Sequence, residues 1–236
     1  MKLVLILVLS LLSFGGGALG NNTLVTHMGI AKNQAGKVVY REWHEVQVVA
    51  GEVKSSLTTY YAPTSKEKIA ELRSNYSKSI KMPTYEFVDL RTNYREGLRF
   101  ENNKYIIYNQ EAGELEGREV LSAKEALFSC QGWHYYLINN LSTLEKSDIA
   151  LNLILPSELD FFRFRVQQVE SSKDLVVADL KLSNWILSLF APSLQLTYDK
   201  KLKKLVRYEG ISNILTKNGE TQDVVIDYDY TGTLKP

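Results

Sequence analysis

Residues that could take part in nucleophilic or metal-dependent catalysis are few and scattered in this sequence. There is one cysteine, Cys130, and there are three histidines, His27, His44 and His134. His44-Glu45 begins like the zinc-binding motif H-E-x-x-H, but Val48 stands where the second histidine would be. That motif needs both histidines on one helical face to hold the metal. We therefore predict no metal site and no cofactor.

A second candidate is the spacing of Cys130 and His134, which are four residues apart and would face the same way on a helix. A Cys–His nucleophile pair normally needs a third group that orients the base, and no nearby residue clearly supplies one. Leu127 and Phe128 flank the cysteine, so a buried, unreactive thiol is the expected state of Cys130.

Pairs of carboxylates can hydrolyse glycosides, and Asp227/Asp229 and Glu114/Glu116 each have the i, i+2 spacing that shares one face of a strand. The simpler interpretation is that these acids lie on the solvent side of a strand. The sequence contains no nucleophile elbow, phosphate-binding loop or dinucleotide-binding glycine pattern. We therefore predict that the protein is not an enzyme.

Two groups of residues are candidates for binding. Lysines are densest at a predicted hairpin tip, where they form a solvated turn or contact anionic lipid headgroups: Lys200, Lys201, Lys203 and Lys204. Large apolar residues are in surplus in the C-terminal half, where they either complete a core or line an apolar pocket for an acyl chain: Trp133, Leu137, Trp185, Leu189 and Phe190. Both alternatives remain open for each group.

The elements that would position these residues are mostly strands. Alternation in Val38–Val48 places Tyr40, Glu42, His44, Val46 and Val48 on one face, and Asn218-Gly219 is a strong hairpin turn. About ten strands joined by short turns predict a mainly β protein with a strongly curved antiparallel sheet, an open or half β-barrel.

Helices are expected to be few and to lie on the concave face of this sheet. The apolar stripe formed by Trp133, Leu137, Leu141 and Leu144 predicts a helix at about 131–145. A second short helix is predicted near 184–190, whereas 65–74 fits either a helix or an extended hairpin.

The N-terminus has the features of a secretory signal peptide. Lys2 is followed by an apolar run from Leu3 to Phe14, and Ala18-Leu19-Gly20 supplies small residues for cleavage after Gly20. Asn21 stands where a lipoprotein would need cysteine. We expect a signal peptide at 1–20 and a single antiparallel β domain at 21–236 in the periplasm or outside the cell, although retention as a membrane tether is the alternative.

The charge balance argues against a nucleic-acid partner. The chain has 28 basic and 27 acidic residues, and removal of Lys2 with the signal makes the two numbers equal. No overall field would then attract polyanions. The predicted partners are a hydrophobic ligand such as a lipid and peripheral contact with the cell envelope, and the oligomeric state stays undetermined.

Several segments resemble uncharacterised bacterial exported proteins: 85–91, the Leu155-Pro156-Ser157 corner, and 196–199 with 205–214. The resemblance covers most of the chain after the signal and implies no known activity. The predicted architecture is also similar to the open β-barrel superfamily of periplasmic lipoprotein carriers, which implies a curved sheet around apolar helices. The leading functional prediction is a binding or carrier protein for a hydrophobic ligand; the alternative is a non-enzymatic structural or assembly factor of the envelope.

Overall fold

The computed structural model of the protein describes residues 22–111, 113–120, 126–184 and 193–232. These residues form one 15-stranded sheet. The first eight strands are β1 Asn22–Lys32, β2 Val38–Val49, β3 Glu52–Tyr61, β4 Lys68–Asn75, β5 Thr84–Asp89, β6 Tyr94–Glu101, β7 Lys104–Glu111 and β8 Glu114–Glu119. The others are β9 Leu127–Phe128, β10 Ile149–Leu155, β11 Asp160–Ser171, β12 Leu175–Leu182, β13 Leu194–Asp199, β14 Lys204–Ile211 and β15 Asp223–Asp229.

The sheet consists of two meanders, β1–β8 and β9–β15. They are joined in the middle of the sheet by the pairing of β1 with β15. The strand order runs from β8 down to β1, continues through the β1–β15 pair, and then descends from β15 to β9. Neighbouring strands are antiparallel except for the short β9–β10 pair, which is parallel. The two outermost strands, β8 and β9, are not neighbours in this order, so the sheet is curved but unclosed. The predicted fold class is confirmed.

The two ends of the sheet nevertheless approach one another. Asn109 on β7 donates from Nδ2 to the Pro156 carbonyl over 2.9 Å, in the 3-10 turn Pro156–Glu158 that follows β10. Arg118 on β8 donates to Asp160 of β11 over 3.0 Å. Among the described residues these bonds across the gap come from side chains, whereas neighbouring strands are joined by backbone ladders.

Two short helices lie on the concave side, α1 at Trp133–Asn139 and α2 at Leu141–Leu144. The prediction of one continuous helix at 131–145 was therefore wrong, because the segment forms two helices separated at Asn140. Asn140 has non-helical dihedrals (φ −122°, ψ 21°), and its side chain donates to the Tyr136 carbonyl over 2.7 Å. An asparagine that bonds the backbone in this way competes with the helical pattern and breaks it.

Other sequence expectations are corrected or narrowed. The structure has fifteen strands, whereas about ten were expected; β4, β5, β8 and β9 were not counted. Within the segment at 65–74, β4 begins at Lys68, and residues 65 and 66 lie in a bend before it. Strand β14 ends at Ile211, where the Ser212 and Asn213 side chains turn inward and bond the hydroxyls of Tyr40 and Tyr60, each over 2.9 Å. The helix predicted near 184–190 lies, apart from Asn184, outside the described residues.

The main core joins both halves of the sheet to α1. Trp133 and Leu137 are fully buried among residues of β3–β7 and β10–β15. This continuity explains why a sheet without backbone closure can hold its curvature, since the helix fills the concave side. Within the described residues, no helix is long and apolar enough to cross a bilayer.

Candidate functional site

Buried polar residues are concentrated on the first six strands. Among the described residues, β1–β6 carry nine of them: His27, Glu42, His44, Ser56, Thr58, Thr59, Ser74, Asp89 and Glu96. Strands β10–β15 carry only Asn152. Buried polar groups are costly unless they are hydrogen-bonded, so such a concentration identifies a region where function or a specific network is expected.

The centre of this region is a hydrogen-bonded chain across β2 and β3. The Nε2 atom of His44 lies 2.9 Å from a carboxylate oxygen of Glu42, and its Nδ1 lies 3.0 Å from the Thr58 hydroxyl. With its proton on Nε2, the imidazole donates to Glu42 and accepts from Thr58. The alternation predicted for 38–48 places Tyr40, Glu42 and His44 together on the inner face, as the structure confirms.

Gly29 leaves space for the hydrogen-bonded side chains of Glu42, His44 and Thr58. A Cβ atom at position 29 would meet the Glu42 carboxylate oxygen at 2.9 Å and the side chains of Ile226 and Tyr228 at 3.0 Å. Gly29 is the neighbour of Glu42 on β1. A side chain there would displace the carboxylate that His44 contacts, so the glycine is part of the network.

All three histidines are buried in the interior. The rings of His27 and His44 are stacked, with centroids 4.2 Å apart and planes within 6° of parallel. His134 on α1 stacks on Tyr198, and its Nδ1 lies 3.1 Å from the Tyr198 hydroxyl. Burial, together with repulsion from His44, Lys204 and His134, lowers the pKa of His27 well below its usual value; burial alone lowers the pKa of His134. We call His27, His44 and His134, with Glu42 and Thr58, the histidine cluster.

The order Thr58–His44–Glu42 has the form of a nucleophile, a base and an orienting acid. Thr58 is only 1% exposed and His44 is fully buried, so the hydroxyl has no route to a substrate in this conformation. The chain of bonds therefore satisfies buried polar groups. Within the described part of the chain, no cluster of three or more histidine, cysteine or acidic side chains could hold a metal ion.

A second buried group surrounds Glu96 on β6. One carboxylate oxygen accepts from the Tyr94 hydroxyl over 2.6 Å, whereas the other has no hydrogen-bond partner. Burial raises the pKa of Glu96 to about 8, against the smaller opposing effect of that hydrogen bond. A carboxyl group in such a site is held in its protonated form near neutral pH.

The predicted Cys–His juxtaposition does not form a nucleophile pair. The thiol of Cys130 donates to the Ile154 carbonyl over 2.9 Å, and the residue is fully buried. Burial, reinforced by Glu96, raises the pKa of this thiol to about 12. Cys130 is thus a buried thiol, as the sequence suggested, while His134 contacts Tyr198.

A half-open cavity of about 450 Å³ lies at the end of the sheet where Asn22 begins β1. We call it the rim cavity. Its walls come from four separate segments: 51–54 at the β2–β3 hairpin, 76–80 after β4, Tyr135, Ile138 and Asn139 of α1, and Lys203 of the β13–β14 hairpin. Val53, Tyr76 and Tyr135 belong to a small apolar cluster that is separate from the main core.

A wider, more open groove of about 920 Å³ is lined by residues of β1–β7, some exposed or half-buried, such as Arg73 and Glu45, and some buried, such as Ser56 and Tyr85. Its charged residues have both signs, with Arg73, Lys78 and Arg99 beside Glu45 and Glu86. Glu86 accepts from the Tyr108 hydroxyl over 3.0 Å. The mixed charges favour no particular class of ligand.

The apolar residues predicted to bind a ligand lie in different settings. Trp133 and Leu137 are fully buried in the main core and are not among the residues that line the rim cavity. Their helix reaches the cavity instead through Tyr135 and Ile138. Trp185, Leu189 and Phe190 lie outside the described residues, so the assignment of a ligand to these five residues stays a prediction.

The four lysines predicted to contact an anionic surface all lie in or beside one hairpin. Lys203 lines the rim cavity. Lys200 bonds Glu145 and the Ser171 hydroxyl, and Lys201 is exposed to solvent. Lys204 places its ammonium 4.4 Å from the centre of the Tyr230 ring, which itself stacks on His27. The hairpin therefore connects the rim of the sheet to the histidine cluster.

The rim cavity was not predicted from the sequence, and no local pattern marks it, because its four segments are far apart in the chain. The histidine cluster had a detectable signal. Glu42 and His44 occupy alternate positions of a strand whose other inward residues are Val and Tyr. This pattern predicts that both side chains are buried and that they hydrogen-bond to each other.

No family model and no curated protein matches the chain. Among solved structures it is similar to a β-barrel-like protein of a domain of unknown function, DUF1849, from Brucella abortus. The two share 9% sequence identity with a TM-score of 0.42, and the match covers 89% of this chain and 99% of the other.

Proposed function

We propose that the protein is exported from the cytoplasm and acts, without catalysis, as a binding or carrier protein for a hydrophobic ligand such as a lipid. The observation that carries the proposal is the rim cavity, whose floor reaches α1 inside the curved sheet. Its volume of about 450 Å³ lies in the range of small-molecule sites.

The floor of the rim cavity supports an apolar ligand. Tyr76 and Tyr135 pack edge to face, with ring centroids 5.2 Å apart, and Val53 completes this side. Ile138 on the same helix belongs to the main core. A ligand tail that enters between the loops would therefore contact the small, separate cluster and, at Ile138, the main core.

The surroundings of the cavity support binding over catalysis. Neither Thr58, His44 nor Cys130 lines the cavity, and each is buried elsewhere in the interior. The described lining residues are lysines, tyrosines, aliphatic residues, small polar residues and Glu52. This set can hold an apolar chain and a polar end, but it lacks an activated nucleophile.

Uptake of an apolar fluorescent probe tests the proposal. Protein purified from the envelope without detergent is titrated with 1-N-phenylnaphthylamine, whose emission rises in an apolar site. Ile80 lines the cavity and is 42% exposed, so Ile80→Glu should weaken probe binding about tenfold or more, because the apolar ligand would desolvate a charge.

Leu90→Glu is the matched control, since Leu90 is 51% exposed and does not line the cavity. It should bind the probe like the wild type. A wild-type protein that gives no rise in emission would refute the carrier proposal, as would equal loss of binding in both variants.

A further inference from the structure

Three lysines from separate elements meet around the rim cavity. Lys54 comes from β3, Lys78 from the segment after β4, and Lys203 from the β13–β14 hairpin. Among the described lining residues, Glu52 is the one acid, and it pairs with Lys54 over 2.6 Å. The lining therefore has an excess of two positive charges, although the chain as a whole is close to neutral.

The positions of these lysines suit a charged group at the opening. Lys78 places its ammonium 3.3 Å from the centre of the Phe100 ring, and both residues line the wider groove, so this lysine lies where the groove and the rim cavity adjoin. Lys203 occupies a tight turn with φ +50°, which fixes its backbone at the rim. The apolar residues Val53, Tyr135 and Ile138 lie along the same walls. The lining thus combines an excess of lysines with apolar side chains and with the small polar residues Ser77, Ser79 and Asn139.

The same end of the sheet carries the start of the described chain. Asn22 pairs with Val49, next to the Ala50-Gly51 turn that borders the cavity. The first described residues of the chain therefore lie close to the rim cavity.

We propose that the rim cavity binds the anionic headgroup, a phosphate or a carboxylate, of an amphiphile whose apolar part contacts Tyr76, Tyr135 and Ile138. This inference rests on the proposed carrier function and specifies its ligand class. Lysine ammonium groups bind such anions as point charges and do not require a fixed planar geometry. The ligand chain would enter toward α1, and its headgroup would stay at the opening.

Calorimetric titration with two amphiphiles of equal chain length separates the headgroup from the tail. Decyl phosphate carries the anion, decyl maltoside is neutral, and inorganic phosphate lacks the chain. The wild type should bind decyl phosphate about tenfold more tightly than decyl maltoside, since ion pairs with partly exposed lysines are individually weak and three of them act together. Inorganic phosphate should bind much more weakly than decyl phosphate.

The variant Lys54→Gln/Lys78→Gln/Lys203→Gln should lose this preference while it still binds decyl maltoside. The control Lys37→Gln/Lys66→Gln/Lys217→Gln removes the same charge from exposed lysines at turns of the opposite end and should keep the preference. Equal affinity of the wild type for both amphiphiles, or an equal loss in both triple variants, would overturn the headgroup site but leave the carrier function. Inorganic phosphate that binds as tightly as decyl phosphate would also overturn it. If neither amphiphile binds, the carrier function itself fails.

Discussion

The N-terminal and C-terminal halves of the sheet use their inner faces differently. Strands β1–β6 bury histidines, carboxyl groups and hydroxyls, whereas β10–β15 bury almost entirely hydrocarbon and tyrosine rings. Both faces enclose the same helix. Apolar burial supplies stability that depends little on pH, while buried titratable groups couple stability to protonation. We therefore expect the C-terminal half to determine how stable the protein is and the N-terminal half to determine how it responds to pH.

The largest change in the free energy of unfolding should come from truncating an apolar side chain in the main core. Trp133 is fully buried between α1 and the core, so Trp133→Ala should lower the free energy of unfolding by about 4 kcal/mol through lost burial and the cavity left behind. Urea denaturation followed by circular dichroism measures it. A decrease in the free energy of unfolding of less than about 1 kcal/mol would mean that Trp133 lies beside a cavity and not in a packed core.

Acid should destabilise the protein through the histidine cluster. The pKa of His27 is well below 6.5 in the folded state, so only the unfolded state takes up this proton as the pH falls below 6.5. Stability is therefore highest above pH 6.5 and decreases below it, by up to about 1.4 kcal/mol per pH unit for as long as His27 stays unprotonated in the folded state. The titratable groups acting on His27 are His44, Lys204 and His134, and Glu42 is bonded to His44.

The variant His27→Phe keeps a stacked ring and removes this proton site. Its unfolding free energy should depend less on pH between 6.5 and 4.5 than that of the wild type, with the remaining slope coming from His134. Parallel pH profiles for the two proteins would show that His27 is not held in its neutral form.

The titration of Glu96 should have the opposite effect to that of His27, since it should lower the stability as the pH rises. Its pKa is raised to about 8, so the folded state retains a proton that the unfolded state loses at lower pH. The stability contributed by this proton is present in acid and is lost as the pH rises toward 8, by about 2 kcal/mol between pH 6 and 7.5. Glu96→Gln should remove this slope in thermal or urea unfolding. A variant with the wild-type slope would place the raised pKa on another group.

The smallest change in the free energy of unfolding should come from filling the space that Gly29 leaves beside the Glu42 carboxylate. Gly29→Ala puts a Cβ atom 2.9 Å from the Glu42 carboxylate and should cost about 1 to 2 kcal/mol. Gly117→Ala on β8 is the control, because its nearest neighbours would lie at 3.6 Å. Equal unfolding free energies for the two variants would indicate that the network adapts without strain.

Much of the fold could be predicted from local patterns. Period-two alternation identified β2 and its buried face, and the Asn218-Gly219 turn lies between β14 and β15. Strand β8 was not counted because glutamates and a glycine give Glu114–Glu119 little β propensity, and it pairs only at the edge of the sheet. The break at Asn140 depends on a side-chain bond that the apolar spacing does not encode.

The candidate site was less predictable, for a physical reason. The lysine hairpin and the apolar helix were both singled out, but their meeting at the rim cavity depends on the curvature of a 15-stranded sheet. Lys54 and Lys203 are brought together by tertiary structure alone. The partnership of Glu42 and His44 was accessible to sequence reasoning, since both face inward on β2.

Native mass spectrometry of protein purified from the envelope without detergent tests the central claim most directly. The account predicts a population carrying one bound amphiphile with an anionic headgroup, and this population should be depleted in the Lys54→Gln/Lys78→Gln/Lys203→Gln variant. Observation of the bare polypeptide mass alone, from protein whose unfolding transition confirms that it is folded, would contradict the account.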